Sequence, residues 1–241
     1  MAQFDRPTIA ARTGTAAAVD EGLRSYMLSV YNYMGIGLVV TGLVAYFFNQ
    51  WAMSSQANME LIYGSPLMWV IALAPLAFVL VLSFGISKMS VGAAQLTFWA
   101  FATVMGLSLS SIFAVYTDAS IAKVFFISAA TFGAMSLYGY TTKRDLTGMG
   151  TFLMMGLIGI IIASVVNMFI NNGPLDFAIS VVGVLVFVGL TAYDTQKIKE
   201  SYSESHGAEV LGKSAIMGAL ELYLDFINLF LMLLRLFGNR E

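Results

Sequence analysis

A chain of 241 residues in which 59% are hydrophobic and only 11% charged, with a mean hydropathy of +0.80, cannot close on itself as a water-soluble globule and reads as a polytopic membrane protein. Its formal net charge of −2 offers no basic surface for nucleic acid. The absence of cysteine excludes disulfide frameworks, iron–sulfur clusters and thiolate zinc sites.

Residues 1–24, with Asp5, Arg6, Arg12, Asp20 and Glu21, lack helical or strand periodicity and read as a polar, flexible tail. The stretch is too weakly apolar for a cleaved secretory signal, so the first span is expected to stay in the mature protein. The remainder, 25–241, is one transmembrane domain. Apolar segments fall at about 26–48, 67–87, 91–115, 120–141, 150–170, 177–197 and 214–237, each near the ~20 residues that cross a ~30 Å hydrocarbon core. The fold class is therefore all-α, with seven transmembrane helices. Pro66 opens the second segment, and Pro75 should kink it because proline lacks the N–H of the helical ladder. Gly35, Gly37 and Gly42, Gly106 with Ser110, Ala130 with Ala134, and Gly183 with Gly189 are read as close-packing positions between helices. Trp51 and Trp69 suit an interfacial belt, and Trp99 suits the core.

Orientation follows from the basic residues near the span ends. Arg6, Arg12, Arg24, Lys88, Lys143, Arg144, Lys197, Lys199 and Lys213 fall on one side, against Lys123, Arg235 and Arg240 on the other, nine of the 12 against three. The N-terminus is thus expected in the cytoplasm and the C-terminus in the periplasm. A seventh segment that only partly crosses is the alternative, because Arg235 and Arg240 sit poorly on the external side.

Much chemistry is missing from the chain. Its single His, His206, lies beside Glu204 and Ser205 in the loop before segment seven, so neither a histidine metal cage nor a Ser-His-Asp triad can be assembled. No GxSxG, HExxH, P-loop or GxGxxG motif stands in a useful context. Cofactors are not expected, and neither is an enzyme activity.

What remains is carboxylates inside apolar helices. Glu221, Asp225, Asn228 and Arg235 recur at spacings that place them on one face of segment seven. Asp194, preceded by Tyr193, closes segment six. An ionisable group at bilayer depth is costly unless partnered or wet, and so marks a functional site. Segment seven returns from the side on which segment six ends, and Asp225 lies ~16 Å into it at ~1.5 Å per residue. Asp194 and Asp225 can then meet. Two carboxylates in one low-dielectric pocket do not both ionise cheaply, so the pair should share a proton over some pH range. It is also a potential Ca²⁺ site, to which Glu221 and Asn228 could add oxygens. A buried network that merely locks helices together is the plainer reading.

Several stretches together resemble the Bax inhibitor-1 (transmembrane Bax inhibitor motif) family, and within it the bacterial inner-membrane members grouped with the protease modulator YccA. They are Leu222-Tyr223-Leu224-Asp225-Phe226-Ile227-Asn228-Leu229-Phe230, Thr191-Ala192-Tyr193-Asp194-Thr195-Gln196, Gly133-Ala134-Met135-Ser136-Leu137-Tyr138-Gly139-Tyr140 and Tyr26-Met27-Leu28-Ser29-Val30-Tyr31. The resemblance implies six helices around a central seventh and a pH-sensitive Ca²⁺ leak governed by a di-aspartyl pair, here Asp194 and Asp225. It implies also a basic latch on the Asp194 carboxylate, whose matching position is Lys88. Lysine there is a departure from the arginine of the family pattern and lacks its bidentate fork. Tyr193, Glu221, Asn228 and Arg235 are supporting candidates. Two other functions stay open: a membrane-embedded modulator that restrains an AAA membrane protease, reached through the tail, and a proton-coupled transporter. An intramembrane aspartyl protease fits poorly, because Asp225 sits in Leu-Asp-Phe and not in Gly-x-Gly-Asp.

Overall fold

The structure is a computed structural model that describes the backbone of residues 9–240 and the side chains of 21–240. Eight α-helices follow one another: α1 (Ile9–Met53), α2 (Gln56–Tyr63), α3 (Leu67–Gly85), α4 (Val91–Leu109), α5 (Asp118–Thr141), α6 (Thr147–Ile170), α7 (Gly173–Glu200) and α8 (Ala208–Phe237). All but the short α2 are long and apolar enough to cross a bilayer, which gives seven spans. Their limits match the expected segments within about six residues, the first span, Glu21–Met53, being extended at both ends and the last, Ala208–Phe237, at its start.

The helix of that span continues back to Ile9, so much of the stretch expected as an irregular tail is helical. Ala10, Ala11, Ala16, Ala17 and Ala18 explain this, since alanine has the highest helix propensity and extends a helix already nucleated by the span. Residues 1–8 of the expected tail lie outside the described residues.

Short connections are fixed by side-chain caps. Ser90, Thr117 and Asn172 each accept a backbone N–H at the start of α4, α5 and α7. Asn171 closes α6 with φ 52°, the left-handed conformation that asparagine tolerates best among non-glycine residues. Ahead of α6, Asp145 accepts from Thr147 N at 2.8 Å, and the Thr147 side-chain and backbone hydrogen bonds hold its carboxyl below the usual carboxylate range.

The polarity of the bundle is inverted relative to a soluble protein. Phe84, Leu96, Phe126 and Phe169 stand out from its surface, where hydrocarbon would receive them. Trp51 and Trp69 are exposed near helix ends and Trp99 packs against the core. Inside, α8 is the most deeply buried element: half of its residues are buried, and it packs chiefly against α7, α1, α5 and α4. This is compatible with a central last helix. Tyr223 of α8 is fully buried; its hydroxyl donates to Thr41 Oγ1 at 2.6 Å, and Thr41 donates to Ala102 O at 2.8 Å. One hydroxyl chain so ties α8, α1 and α4 together.

The far end of α8 is pinned too. Asn239 N donates to Ser120 Oγ at 2.9 Å, Thr117 N donates to Asn239 O at 3.1 Å, and Arg240 stacks on the Tyr116 ring. The helix therefore runs the length of the bundle, from the end of α7 to the start of α5.

Small residues form contacts at only some of the expected places. Gly106 meets α1, where a Cβ would lie 2.7 Å from Thr41 O, and Ser110 is buried. Gly35 and Gly42 face open space, and Ala130 and Ala134 are exposed, so their helix faces turn outward. The tightest approach to another helix's backbone is Gly139, where a Cβ would overlap the Ala192 carbonyl oxygen. Gly139→Ala should cost about 1–3 kcal/mol through backbone displacement, while Gly35→Ala should be neutral or stabilising. Thermal unfolding in detergent, followed by tryptophan fluorescence, checks this: equal midpoints for the two variants would contradict the close approach of α5 to α7.

Candidate functional site

The final turns of α7 are held from one side. Gly139 admits the Ala192 carbonyl, and Gly150 of α6 admits the Tyr193 ring. Thr195 Oγ1 bonds Ser136 Oγ at 2.9 Å, and Tyr31 OH bonds the same Ser136 at 2.6 Å. Gln196 closes the α5–α6 connection, accepting from Leu146 N and donating to Arg144 O, each at 2.8 Å. Lys199 Nζ donates to Tyr140 O at 2.8 Å. With these contacts committed to α5, α6 and their connection, the other face of α7, carrying Phe187, Leu190, Asp194 and Lys197, lines a cavity of about 720 Å³. Those positions recur at three and four residues, one stripe of a helix.

Across from them, α8 presents Glu221, Leu224, Asp225, Asn228 and Met232, again a single stripe. The remaining walls are apolar except for Ser164, with Pro75, Leu76 and Val79 from α3 and Leu157, Ile160 and Ile161 from α6. Pro75 is buried within α3, and its missing N–H leaves the Ile71 carbonyl without that rung of the ladder.

The polar end holds three carboxyl groups and one ammonium. Asp194 of α7 and Asp225 of α8 line this end of the cavity from facing helices. Asp225 is 5% exposed, and its Oδ2 is buried without a donor among the described residues. A buried acceptor left unpaired costs on the order of 1–3 kcal/mol. One proton between the two carboxyls removes that cost. Lys197 Nζ lies 2.9 and 3.0 Å from the two Glu221 oxygens and 3.9 Å from Asp194 Oδ1.

The other residues singled out in the sequence fall at different distances from this centre. Asn228 lines the cavity and donates to Leu224 O at 2.8 Å. Tyr193 turns toward α6. Arg235 is far along α8, 3.5 Å from Asp176 at the opposite end of the bundle. Lys88 is exposed on the single 3-10 turn Ile86–Lys88 and enters no ion pair among the described residues. The cation beside the acids is Lys197, whose signal in the sequence is its position three residues after Asp194 on the same helical stripe. Gly139, Gly150, Ser136 and Gln196, which orient that stripe, carry no such signal. No group of three or more His, Cys, Asp or Glu side chains is arranged to hold a metal ion among the described residues. A cation in this cavity would meet facing carboxyls and a lysine, not a closed cage.

Residues 23–241 match the family model described as inhibitor of apoptosis-promoting Bax1. The chain is 51% identical over 223 residues to inner membrane protein YbhL of Escherichia coli (strain K12), covering 91% of this chain and 94% of that one. It is 50% identical over 222 residues to an uncharacterized protein of Rickettsia prowazekii (strain Madrid E), covering 92% of each.

Lys197 and Glu221 are partly exposed, so their pair stabilises the α7–α8 contact modestly, by up to about 1 kcal/mol. A double-mutant cycle of Lys197→Met and Glu221→Gln, read by thermal unfolding, should return a favourable coupling of that order. Additive effects would show that the pair does not hold the two helices.

Proposed function

The chain belongs to the Bax inhibitor-1 family, and from that premise we propose that it is a pH-sensitive Ca²⁺ leak of the bacterial inner membrane, gated where α7 meets α8. It is a multi-pass inner membrane protein, as its seven apolar helices and the printed name of its Escherichia coli relative indicate. The observation that carries the reading is that Asp194 and Asp225, from facing helices, line one cavity that also holds Glu221 and Lys197. A bilayer protein that needed only to be stable would fill this space with apolar side chains, since buried charges are weak contributors to stability.

With Asp194 ionised, Lys197 is shared between Glu221 and Asp194 and draws α7 toward α8. When Asp194 takes a proton, Lys197 withdraws to Glu221 alone and no longer stands before the acid pair, and the acid-lined cavity opens as a cation path. Lys197 fills the part expected of Lys88. The bundle end bearing Arg24, Lys88, Lys143, Arg144, Lys197, Lys199 and Lys213 faces the cytoplasm, with the pinned C-terminus in the periplasm. Protons and Ca²⁺ are then the partners, and Ca²⁺ is cargo.

Purified full-length chain in liposomes carrying an internal Ca²⁺ dye tests this. Flux should rise as pH falls, and Asp194→Asn should abolish the pH dependence. Asp225→Asn should lower flux about tenfold, the effect of ~1.4 kcal/mol. Lys197→Met should leak several-fold more at high pH, with Lys197→Arg close to the parent. Parent-like pH profiles in both aspartate variants would sink the proposal.

A further inference from the structure

A second cavity, of about 530 Å³, opens between α1 and α5 and shares no lining residue with the acid-lined one. Its walls run antiparallel, Arg24 to Tyr31 on α1 and Tyr140 back to Phe132 on α5, in register through the Tyr31–Ser136 bond at 2.6 Å. At ~1.5 Å per residue each wall is about 10–12 Å long, running inward from one edge of the bundle. That edge is cationic. Arg24 is exposed and forms no ion pair among the described residues. Lys199 Nζ lies 5.4 Å from the centroid of the Tyr140 ring that lines the groove, and Lys143 and Arg144 follow α5 directly. Among the described side chains, the acids close in sequence to these cations are Glu21, one turn before Arg24, Glu200, and Asp145, whose carboxyl is already occupied by Thr147. Farther in, Met27, Leu28, Phe132 and Leu137 make the groove apolar.

We propose that this groove binds an anionic phospholipid, with the headgroup phosphate on Arg24 and an acyl chain between α1 and α5. The profile, a cationic rim over an apolar trough at bilayer depth, matches such a molecule at both ends. A peptide does not fit, because its backbone groups would enter the trough without enough donors and acceptors to satisfy them. The volume is that of an ordinary ligand site. Tyr31 and Ser136 connect the groove to Thr195 at 2.9 Å, the residue after Asp194, so the lipid would sit one hydroxyl chain from the acid pair.

Native mass spectrometry of the full-length chain tests this, using phosphatidylglycerol and phosphatidylcholine of identical acyl chains added at equal concentration. The parent should retain phosphatidylglycerol about fivefold over phosphatidylcholine, the preference expected of one arginine at the membrane surface. Arg24→Gln should erase the preference. Gly133 lines the groove, and a side chain added there meets open space, so Gly133→Leu should fold normally and lose about one bound lipid of either type. Glu221→Gln, in the other cavity, should change nothing. Equal retention of both lipids by the parent, a preference that survives Arg24→Gln, unaltered retention in Gly133→Leu, or a copurifying peptide in the groove would each overturn the proposal. None of these readouts depends on ion flux.

Discussion

Two carboxyl groups that face each other inside an apolar bundle constrain everything around them. An ionised acid at bilayer depth is costly, and a second beside it adds repulsion in a medium that screens poorly. Asp225, buried and with one oxygen lacking a donor, is tolerable only if Asp194 brings a proton or another cation comes near. Lys197, on the same stripe of α7 and bound to Glu221, is the cation at hand. Three carboxyls against one ammonium leave negative charge to be met by protons or by mobile cations, and the proposed gate rests on that balance.

That arrangement depends on how α7 is rotated. Nothing in a bilayer pushes helices together by the hydrophobic effect, so close packing and internal hydrogen bonds set their orientation. Gly139 and Gly150 let α5 and α6 approach Ala192 and Tyr193, and Ser136, Gln196 and Lys199 complete the hold. Rotating α7 by one residue, ~100°, would carry Asp194 away from α8 and bury its charge against an apolar wall. On the other side, the Tyr223–Thr41–Ala102 chain fixes α8. Both helices are held from behind, which turns their acid-bearing stripes toward one cavity.

The spans were legible in the sequence because length and hydropathy are what a bilayer selects, and Asp194 and Asp225 stood out because a carboxylate in such a span is an anomaly that demands a reason. The family was legible through the stretches around Asp194 and Asp225. Helix rotation was not. Gly35, Gly42, Ala130 and Ala134 satisfy a small-residue pattern yet face outward, whereas Gly139 and Gly150 carry the tight contacts, and composition alone does not separate the two sets. Lys88 was the latch position that the resemblance implied, whereas the cation that lies beside the acids is Lys197, three residues from Asp194. The upstream reach of α1 was missed because alanine-rich polar sequence looks irregular when only hydrophobic periodicity is sought.

The proton shared by Asp194 and Asp225 is the central claim, and pH-dependent infrared difference spectroscopy of the purified full-length chain addresses it most directly. A protonated-carboxyl C=O band should be present in the parent and absent from both Asp194→Asn and Asp225→Asn, because one proton held jointly is lost with either partner. A band that persists unchanged in either variant would contradict the sharing, and with it the reading of this cavity as a proton-operated gate.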